Sequence, residues 1–416
     1  MVKNSNENVF NLEQTPDLLS EMIRVHAKDL IAKALEVEVS EQMALLEHRK
    51  LPDGRQAVCR SGYHPERMIQ TGVGPVPVKV PKMRSRDGTP ETFNSALIPP
   101  FIRRTKSVEA AIPWLYLHGI SSGEMSNALE VLVGKNAAGF SSSSVSRLKQ
   151  EWSEEYQKWQ QMDLSKDEWV YIWADGIYSG LRSEDEKLCA LVIIGVNARG
   201  EKHFLAIEDG IRESTQSWSE ILLDLKKRGL SKPPKLAVGD GAMGFWSALD
   251  KIYPDTRQQR CWVHKTRNVL NYLPKNAQAK AKDKLHEIWK SESKENAEKA
   301  FNHWVNMYED KYPKAAHCLK KDKDELLAFY DFPAAHWQSI RTTNPIESAF
   351  ATIRHRTKRS KGCLSRVTML AMIFKVGMCA EKQWRKLRGF QSLAKVIEGV
   401  CFKDGIEENI DKPEAA

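Results

Sequence analysis

An α/β chain is predicted, and two observations predict it. From residue 168 short apolar runs of strand type alternate with amphipathic stretches of helical period. Around and within that block, residues 16–48, 107–152 and 265–335 place apolar side chains at helical spacing without strand character. At 416 residues the chain also exceeds one ordinary domain of about 100–200 residues, so several parts are expected.

Residues 1–50 form the first part. Leu18, Leu19, Met22, Ile23, Ala27, Leu30, Ile31, Ala34 and Leu35 fall at helical spacing, suited to packing or to a dimer contact. Residues 51–105 turn to Gly, Pro and Arg, with Val76, Val78 and Val80 alternating as in a small strand. Nine cations lie there: Arg55, Arg60, Arg67, Lys79, Lys82, Arg84, Arg86, Arg103 and Arg104. Such a stretch suits a phosphate backbone, with Arg84 and Arg86 as candidate contacts. Residues 106–166 read as a helix-turn-helix-like DNA-binding part, the turn at Gly119-Ile120-Ser121 and Arg147 a further candidate contact.

Residues 167–264 carry the strands. WVYIWADG reads as a buried strand; KLCALVIIGVNARG and EKHFLAIEDGI pair through a turn at Asn197–Gly200; STQSWSEILLDLKKRGL is an amphipathic helix. KLAVGDG, GAMGFWSALDKIY and QQRCWVH follow as strand, helix and strand. Three meandering strands followed by alternating helices and strands is the order of a ribonuclease H-like core of the retroviral integrase type. An all-helical insertion at 265–335 interrupts it, residues 336–400 complete it, and 401–416 form a tail.

The net charge of +9 favours an anionic partner. The seven cysteines are odd in number and form no tight framework, so reduced thiols and a cytoplasmic location are expected, nucleoid-associated when on DNA. MVKNSNENVFNLEQTPD lacks the basic start and apolar stretch of a signal peptide, and no 18 apolar residues run together, so no membrane partner is expected.

Three acids stand out. Asp175 follows YIWA and precedes Gly176; Asp240 follows LAVG and precedes a helix; Glu347 lies in NPIESAFATIRHRTK, where Asn344 is expected to cap and Pro345 to start a helix. A carboxylate delivered by buried sequence is costly unless a cation compensates it. Phosphodiester chemistry with two hard cations, Mg²⁺ with Mn²⁺ able to substitute, needs such a cluster. Between Arg341 and Arg366 five Arg and two Lys surround the single acid Glu347. Of these, Arg341, Arg354, Arg356, Lys358, Arg359 and Lys361 are candidate DNA contacts, and Arg354, seven residues on, shares the side of Glu347.

Competing motifs are weaker. Gly239, Gly241 and Gly244 spell GxGxxG after a strand, but Asp240 sits where a pyrophosphate needs bare amides. Gly119 to Gly123 fits GxSxG, but helical sequence precedes it, so Ser121 reads as a helix cap. Cys261 and His264 form CxxH at the end of the fifth strand, and zinc would need two more ligands. His264 reads as an active-site residue and Cys261 as a small supporting residue behind it. Trp337, with Trp289 and Trp304, is a candidate for stacking on a displaced base.

Taken together, SGYHPERMIQTGVGPVPVKVPKMR (61–84), LYLHGISSGEMSNAL (115–129), the Asp175 segment, VGDGAMGFWSAL (238–249), QRCWVHKTRNVL (259–270) and TTNPIESAFATIRHRTKRSKGCLS (342–365) resemble the mutator-type transposases of bacterial insertion sequences. The resemblance places the family's acidic triad on Asp175, Asp240 and Glu347, and its CxxH on Cys261 and His264. The acids are spaced by 65 residues (175 to 240) and 107 (240 to 347), the longer gap agreeing with the family's helical insertion. It implies an enzyme that recognises the terminal inverted repeats of its own element, cuts at the 3′ ends and joins them to target DNA, as a homodimer on double-stranded DNA. Two alternatives stay open on the residues: a ribonuclease H-like nuclease without strand transfer, and a non-catalytic DNA-binding regulator.

Overall fold

The computed structural model describes residues 18–117, 120, 124–125, 127–129, 142–180, 187–241, 244–359 and 365–408. The chain divides into two compact units, Met1–Leu148 and Lys149–Ala416. Of the helix-turn-helix turn, Gly119 and Ser121 lie outside the described residues, while the Ile120 amide donates to the Leu115 carbonyl at 3.1 Å.

In the first unit one helix, α1 (Leu18–Leu45), packs on four short strands, β1 (Val58–Tyr63), β2 (Arg67–Thr71), β3 (Gly74–Val78) and β4 (Pro81–Ser85), paired as β1–β4 and β2–β3. Val76, Val78 and Val80 are buried together with Leu35 and Val39 of α1, so the expected parts 1–50 and 51–105 share a single core. The two parts cannot be separated, because a two-stranded pair has no second face of its own to bury. Glu36 of α1 accepts from Arg60 at 2.5 Å and from the Tyr63 hydroxyl at 2.8 Å, tying the helix to β1. A further helix, α2, spans Lys106–Leu117.

Helix α3 (Ser142–Gln160) runs across the boundary between the units. Its later residues belong to the second unit, where the Tyr156 hydroxyl donates to the Ile207 carbonyl at 2.5 Å and its ring meets Phe374. The expected part 106–166 is therefore divided.

The second unit is an α/β structure on a mixed five-stranded sheet. Its strands are β5 (Trp169–Gly180), β6 (Lys187–Asn197), β7 (Lys202–Gly210), β8 (Leu236–Gly239) and β9 (Arg257–Arg260), in the order β7-β6-β5-β8-β9. β5, β6 and β7 run antiparallel, while β8 and β9 run parallel to β5. The β6–β7 turn is built as its sequence demands: the Asn197 side chain accepts from the Arg199 and Glu201 amides, and Gly200 takes φ +79°.

One face of the sheet is covered by α4 (Thr215–Lys227) and α5 (Phe245–Ile252), which bury Trp218, Leu222, Phe245 and Leu249 against Ile172, Ala174 and Ala237. The alternate residues of β5 point the other way. There Tyr171 bonds His336, and the Trp173 indole donates to the Ser339 carbonyl.

After β9 come α6 (Trp262–Leu270), α7 (Lys275–Lys290), α8 (Lys294–Tyr308), α9 (Pro313–Lys320), α10 (Lys323–Leu326) and α11 (Trp337–Ile340). Then follow α12 (Asn344–Arg359) and α13 (Arg366–Glu381), the latter apolar enough to bury Met369, Ile373 and Gly377. Helix α14 (Leu393–Glu398) and a two-residue hairpin at Phe402–Glu407 close the described chain. No described helix is long and apolar enough to cross a membrane.

Candidate active site

The sheet register points to two of the acids. Parallel pairing of β5 with β8 runs from Tyr171–Leu236 to Trp173–Val238 and then stops. Two residues past its last pair that register leads to Asp175 on β5 and to Asp240 just beyond β8, and the charge of Asp240 acts on the Asp175 carboxyl. Asp175 is inside β5, paired with Val192 on its other side, and the strand runs on past the WVYIWADG read from sequence to Gly180. By alternation its side chain shares the face of Tyr171 and Trp173, the face opposite α4 and α5. Asp240 follows β8 in the turn before α5; its Oδ1 accepts from the Gly241 amide at 2.6 Å and lies 3.5 Å from the Asn268 amide nitrogen.

Glu347 comes from the first turn of α12. The helix is started by Thr343, whose carbonyl accepts from the Ile346 and Glu347 amides, so Asn344 lies one place inside the helix and does not cap it. His264 reaches the same place: its Nε2 is 3.6 Å from Glu347 Oε1. Burial pushes the imidazole below its ordinary pKa, against the opposing pull of Asp240, so at neutral pH this is a polar contact of a neutral ring. Its Nδ1 is buried with no hydrogen-bond partner among the described residues.

His264 was expected at a strand end, but β9 stops at Arg260 and Cys261 precedes α6. Trp262, Lys265, Thr266 and Val269 are the buried side of that helix, at intervals of three and four. The short apolar run CWVH fits a strand as well as a buried helical turn, and only the following residues decide. This helix also crosses the expected boundary at 264–265.

The charges of the acids act on one another. Asp175 is 8% exposed, and burial pushes its carboxyl up to about 7, helped by the charges of Glu213, Asp240 and Glu347. Glu213, which the sequence reading missed, lies in the loop between β7 and α4. Its carboxylate stands where a side chain on Gly176 would go, 2.5 Å from an ideal Cβ there. The Gly244 amide donates to its carbonyl at 2.9 Å, and Arg212 before it adopts φ +54°. No strand or helix pattern marks such a residue; the clue available was an acid directly before Ser214, which caps α4.

Four carboxylates therefore act on one another, and none forms an ion pair with Lys or Arg among the described residues. Carboxylates whose charges act on one another without a Lys or Arg in direct ion pair are the chemistry that suits a hard divalent ion. Among the described residues, no group of three or more His, Cys, Asp or Glu side chains is gathered to hold a metal ion outright. Asp175, Asp240 and Glu347 are the side chains that could do so once drawn together.

The description "Transposase, Mutator family" fits residues 2–386 of the chain. The chain belongs to the Mutator family of transposases. The transposase for insertion sequence element IST2 of Acidithiobacillus ferrooxidans is 51% identical over 290 residues, 70% of this chain and 98% of that one. The transposase for IS6120 of Mycolicibacterium smegmatis is 45% identical over 294 residues, 71% and 90% of the two chains. Among solved structures, the Drosophila P element transposase strand transfer complex aligns over 76% of this chain and 87% of that one at 9% identity, with a TM-score of 0.30.

In this transposase the expected DNA contacts divide by environment. Arg341 is committed internally, its guanidinium 4.5 Å over the Trp289 ring and donating to the Trp289 carbonyl at 2.7 Å. Arg354 is exposed, 5.7 Å over the Phe350 ring. The side chains of Arg356, Lys358 and Arg359, and Lys361 altogether, lie outside the described residues. Arg147 is 3.7 Å from Glu109.

Of the nine cations between 55 and 104, Arg55, Arg60 and Arg104 pair with Asp53, Glu36 and Glu109, and Arg67 donates to the Ile98, Pro99 and Pro100 carbonyls. Lys82 and Arg84 alternate with buried Pro81 and Met83 on β4 and point outward; Arg86 is exposed after them.

The tryptophans are mostly structural. Trp304 is fully buried and bonds the Ala281 carbonyl; Trp337 packs on Phe329 and Tyr330 and bonds the Phe332 carbonyl. Trp289 is covered by Arg341 and edged by His286.

Proposed function

We propose that this transposase binds the terminal inverted repeats of its insertion sequence and its target DNA as a homodimer, and catalyses 3′-end cleavage and strand transfer. Asp175, Asp240 and Glu347 form its DDE triad. The observation that supports this reading most is that the charges of Asp240, just past β8, and of Glu347, on α12, both act on the buried Asp175 carboxyl of the neighbouring strand β5. The sheet order β7-β6-β5-β8-β9 supports a ribonuclease H-like core, and the helices between β9 and α12 support an all-helical insertion.

When bound, two magnesium ions, or manganese in their place, would supply the positive charge that activates the attacking hydroxyl and steadies the leaving oxygen. Asp175 and Asp240 would hold them from the sheet and Glu347 from α12. Neutral His264 beside Glu347 is placed to accept or donate one hydrogen bond at the reacting phosphate. Lys82, Arg84, Arg86 and Arg354 are exposed for phosphate contacts that position DNA. Leu18, Leu19, Met22, Ile23 and Leu30 are exposed on α1 and support it as the dimer contact.

The test is incubation of labelled element ends with Mg²⁺ and a target duplex. Wild type nicks and joins; Glu347→Gln binds the ends and does neither. Equal nicking and joining by Glu347→Gln overturns the proposal.

A further inference from the structure

One residue is hydrogen-bonded to both of the turns that deliver Asp240 and Glu347. The Cys261 amide donates to the Gly239 carbonyl at 2.8 Å, at the end of β8 and one residue before Asp240. The Cys261 sulfur accepts from the Thr343 amide at 3.3 Å and lies 3.3 Å from the Thr343 hydroxyl. Thr343 in turn starts α12, its carbonyl accepting from the Glu347 amide at 3.0 Å. Three consecutive hydrogen bonds thus join the β8 end to Glu347, and Cys261 makes two of them.

We infer that Cys261 is a positioning residue that sets the spacing of Asp240 and Glu347 through its sulfur, acting as acceptor for the Thr343 amide. This rests on the proposed triad. Cys261 is 1% exposed and Thr343 is fully buried, so no water can take over the amide if the sulfur is removed. Burial also holds the thiol in its protonated form, which fits an acceptor and not a nucleophile or a metal-bound thiolate. A residue that merely fills space would make the first bond, through its backbone, but not the second.

The start of α6, next to Cys261, is held to the chain just before α12 by a further bond, from the Trp262 amide to the Arg341 carbonyl at 3.0 Å. Loss of the sulfur should therefore loosen the geometry of Glu347 without unfolding the chain. Because misplacement by about 1 Å can cost about a hundredfold in rate, Cys261→Ala is expected to lower single-turnover cleavage by about ten- to a hundredfold. Binding of the element ends should stay within about twofold of wild type. Cys261→Ser, of nearly the same size as alanine but with an acceptor oxygen, should recover most of the rate.

The experiment compares wild type, Cys261→Ala, Cys261→Ser and Glu347→Gln for end binding and for single-turnover cleavage in Mg²⁺. Alanine as fast as wild type, or serine no better than alanine, overturns the inference. A measurement on the unmodified chain stands beside it: the Thr343 amide should be protected from hydrogen–deuterium exchange, and rapid exchange there overturns the inference even if the alanine variant does not fold. Glu347→Gln keeps the two readings apart. Its full activity defeats the triad whatever Cys261 does, whereas an inactive Glu347→Gln beside a fully active Cys261→Ala defeats only the role given to the sulfur.

Discussion

Replacing Asp175 with Asn should make the metal-free protein more stable, and by an amount that depends on pH. In the folded chain burial and three like charges push the Asp175 carboxyl up to about 7 from an ordinary 3.8. Between those values the folded state holds a proton that the unfolded chain releases, so stability falls as pH rises from about 4 to about 7. At about 1.4 kcal/mol per tenfold, the gap corresponds to about 4 kcal/mol lost by pH 8, an upper figure because the carboxylates can relax apart.

Asparagine keeps the shape and carries no charge, so Asp175→Asn should match wild type below about pH 4 and exceed it at pH 8. For a unit of this size roughly 2–4 °C accompanies each kcal/mol, so that upper figure corresponds to a gain of about 8–16 °C in Tm. The assay is thermal melting by circular dichroism in a chelator at pH 4 and pH 8. The reasoning fails if the difference between variant and wild type is the same at both pH values, or if the variant melts lower at pH 8. Adding Mg²⁺ at pH 8 should then raise the wild-type Tm and leave that of Asp175→Asn unchanged, since only a state that binds the ion is stabilised by it.

Other outcomes follow from the same contacts. Asp322→Ala should destabilise by about 3–5 kcal/mol in urea melts, because Lys265, 3% exposed and paired with Asp322, would be left buried without its counter-charge, bonded to the Cys318 carbonyl. Gly244→Ala should lower Tm more than Gly176→Ala: the first Cβ would meet the Thr215 amide nitrogen at 2.3 Å, the second only the movable end of Glu213. His264→Asn should slow cleavage by about a hundredfold with end binding kept, as expected for a placed proton-transfer or hydrogen-bonding group. Lys82→Glu with Arg84→Glu should weaken end binding and flatten its dependence on salt in filter binding, while cleavage at saturating protein stays near wild type.

How far the sequence reached depended on whether a feature was local. The strands of the second unit were legible because continuous apolar runs such as KLCALVIIGV leave no other reading, and Asn197 with Gly200 marks the turn between them. Asp175 and Asp240 stood out because each interrupts or follows such a run, Glu347 because it is the single acid between Arg341 and Arg366. The environment of each cation was not. Arg60 is paired with Glu36 and Arg341 with Trp289, partners 24 and 52 residues away, which no window of sequence brings together.

Glu213 shows the same limit from the other side. It lies in a loop, its neighbours Arg212 and Ser214 announce only a turn and a cap, and its approach to Gly176 exists only once β5 and the β7–α4 loop are folded. The misplacement of His264 on a strand has a similar origin, since four apolar or aromatic residues cannot separate a strand from one helical turn. What decided between them is a set of bonds formed on folding: the Cys261 amide to Gly239 ends the parallel pairing, and the Cys261 carbonyl accepts from the Lys265 amide to open α6. The residue that turns the chain from sheet to helix is thus the one whose sulfur also meets the start of α12. For that reason His264 and Glu347 face each other although 83 residues, from 264 to 347, separate them.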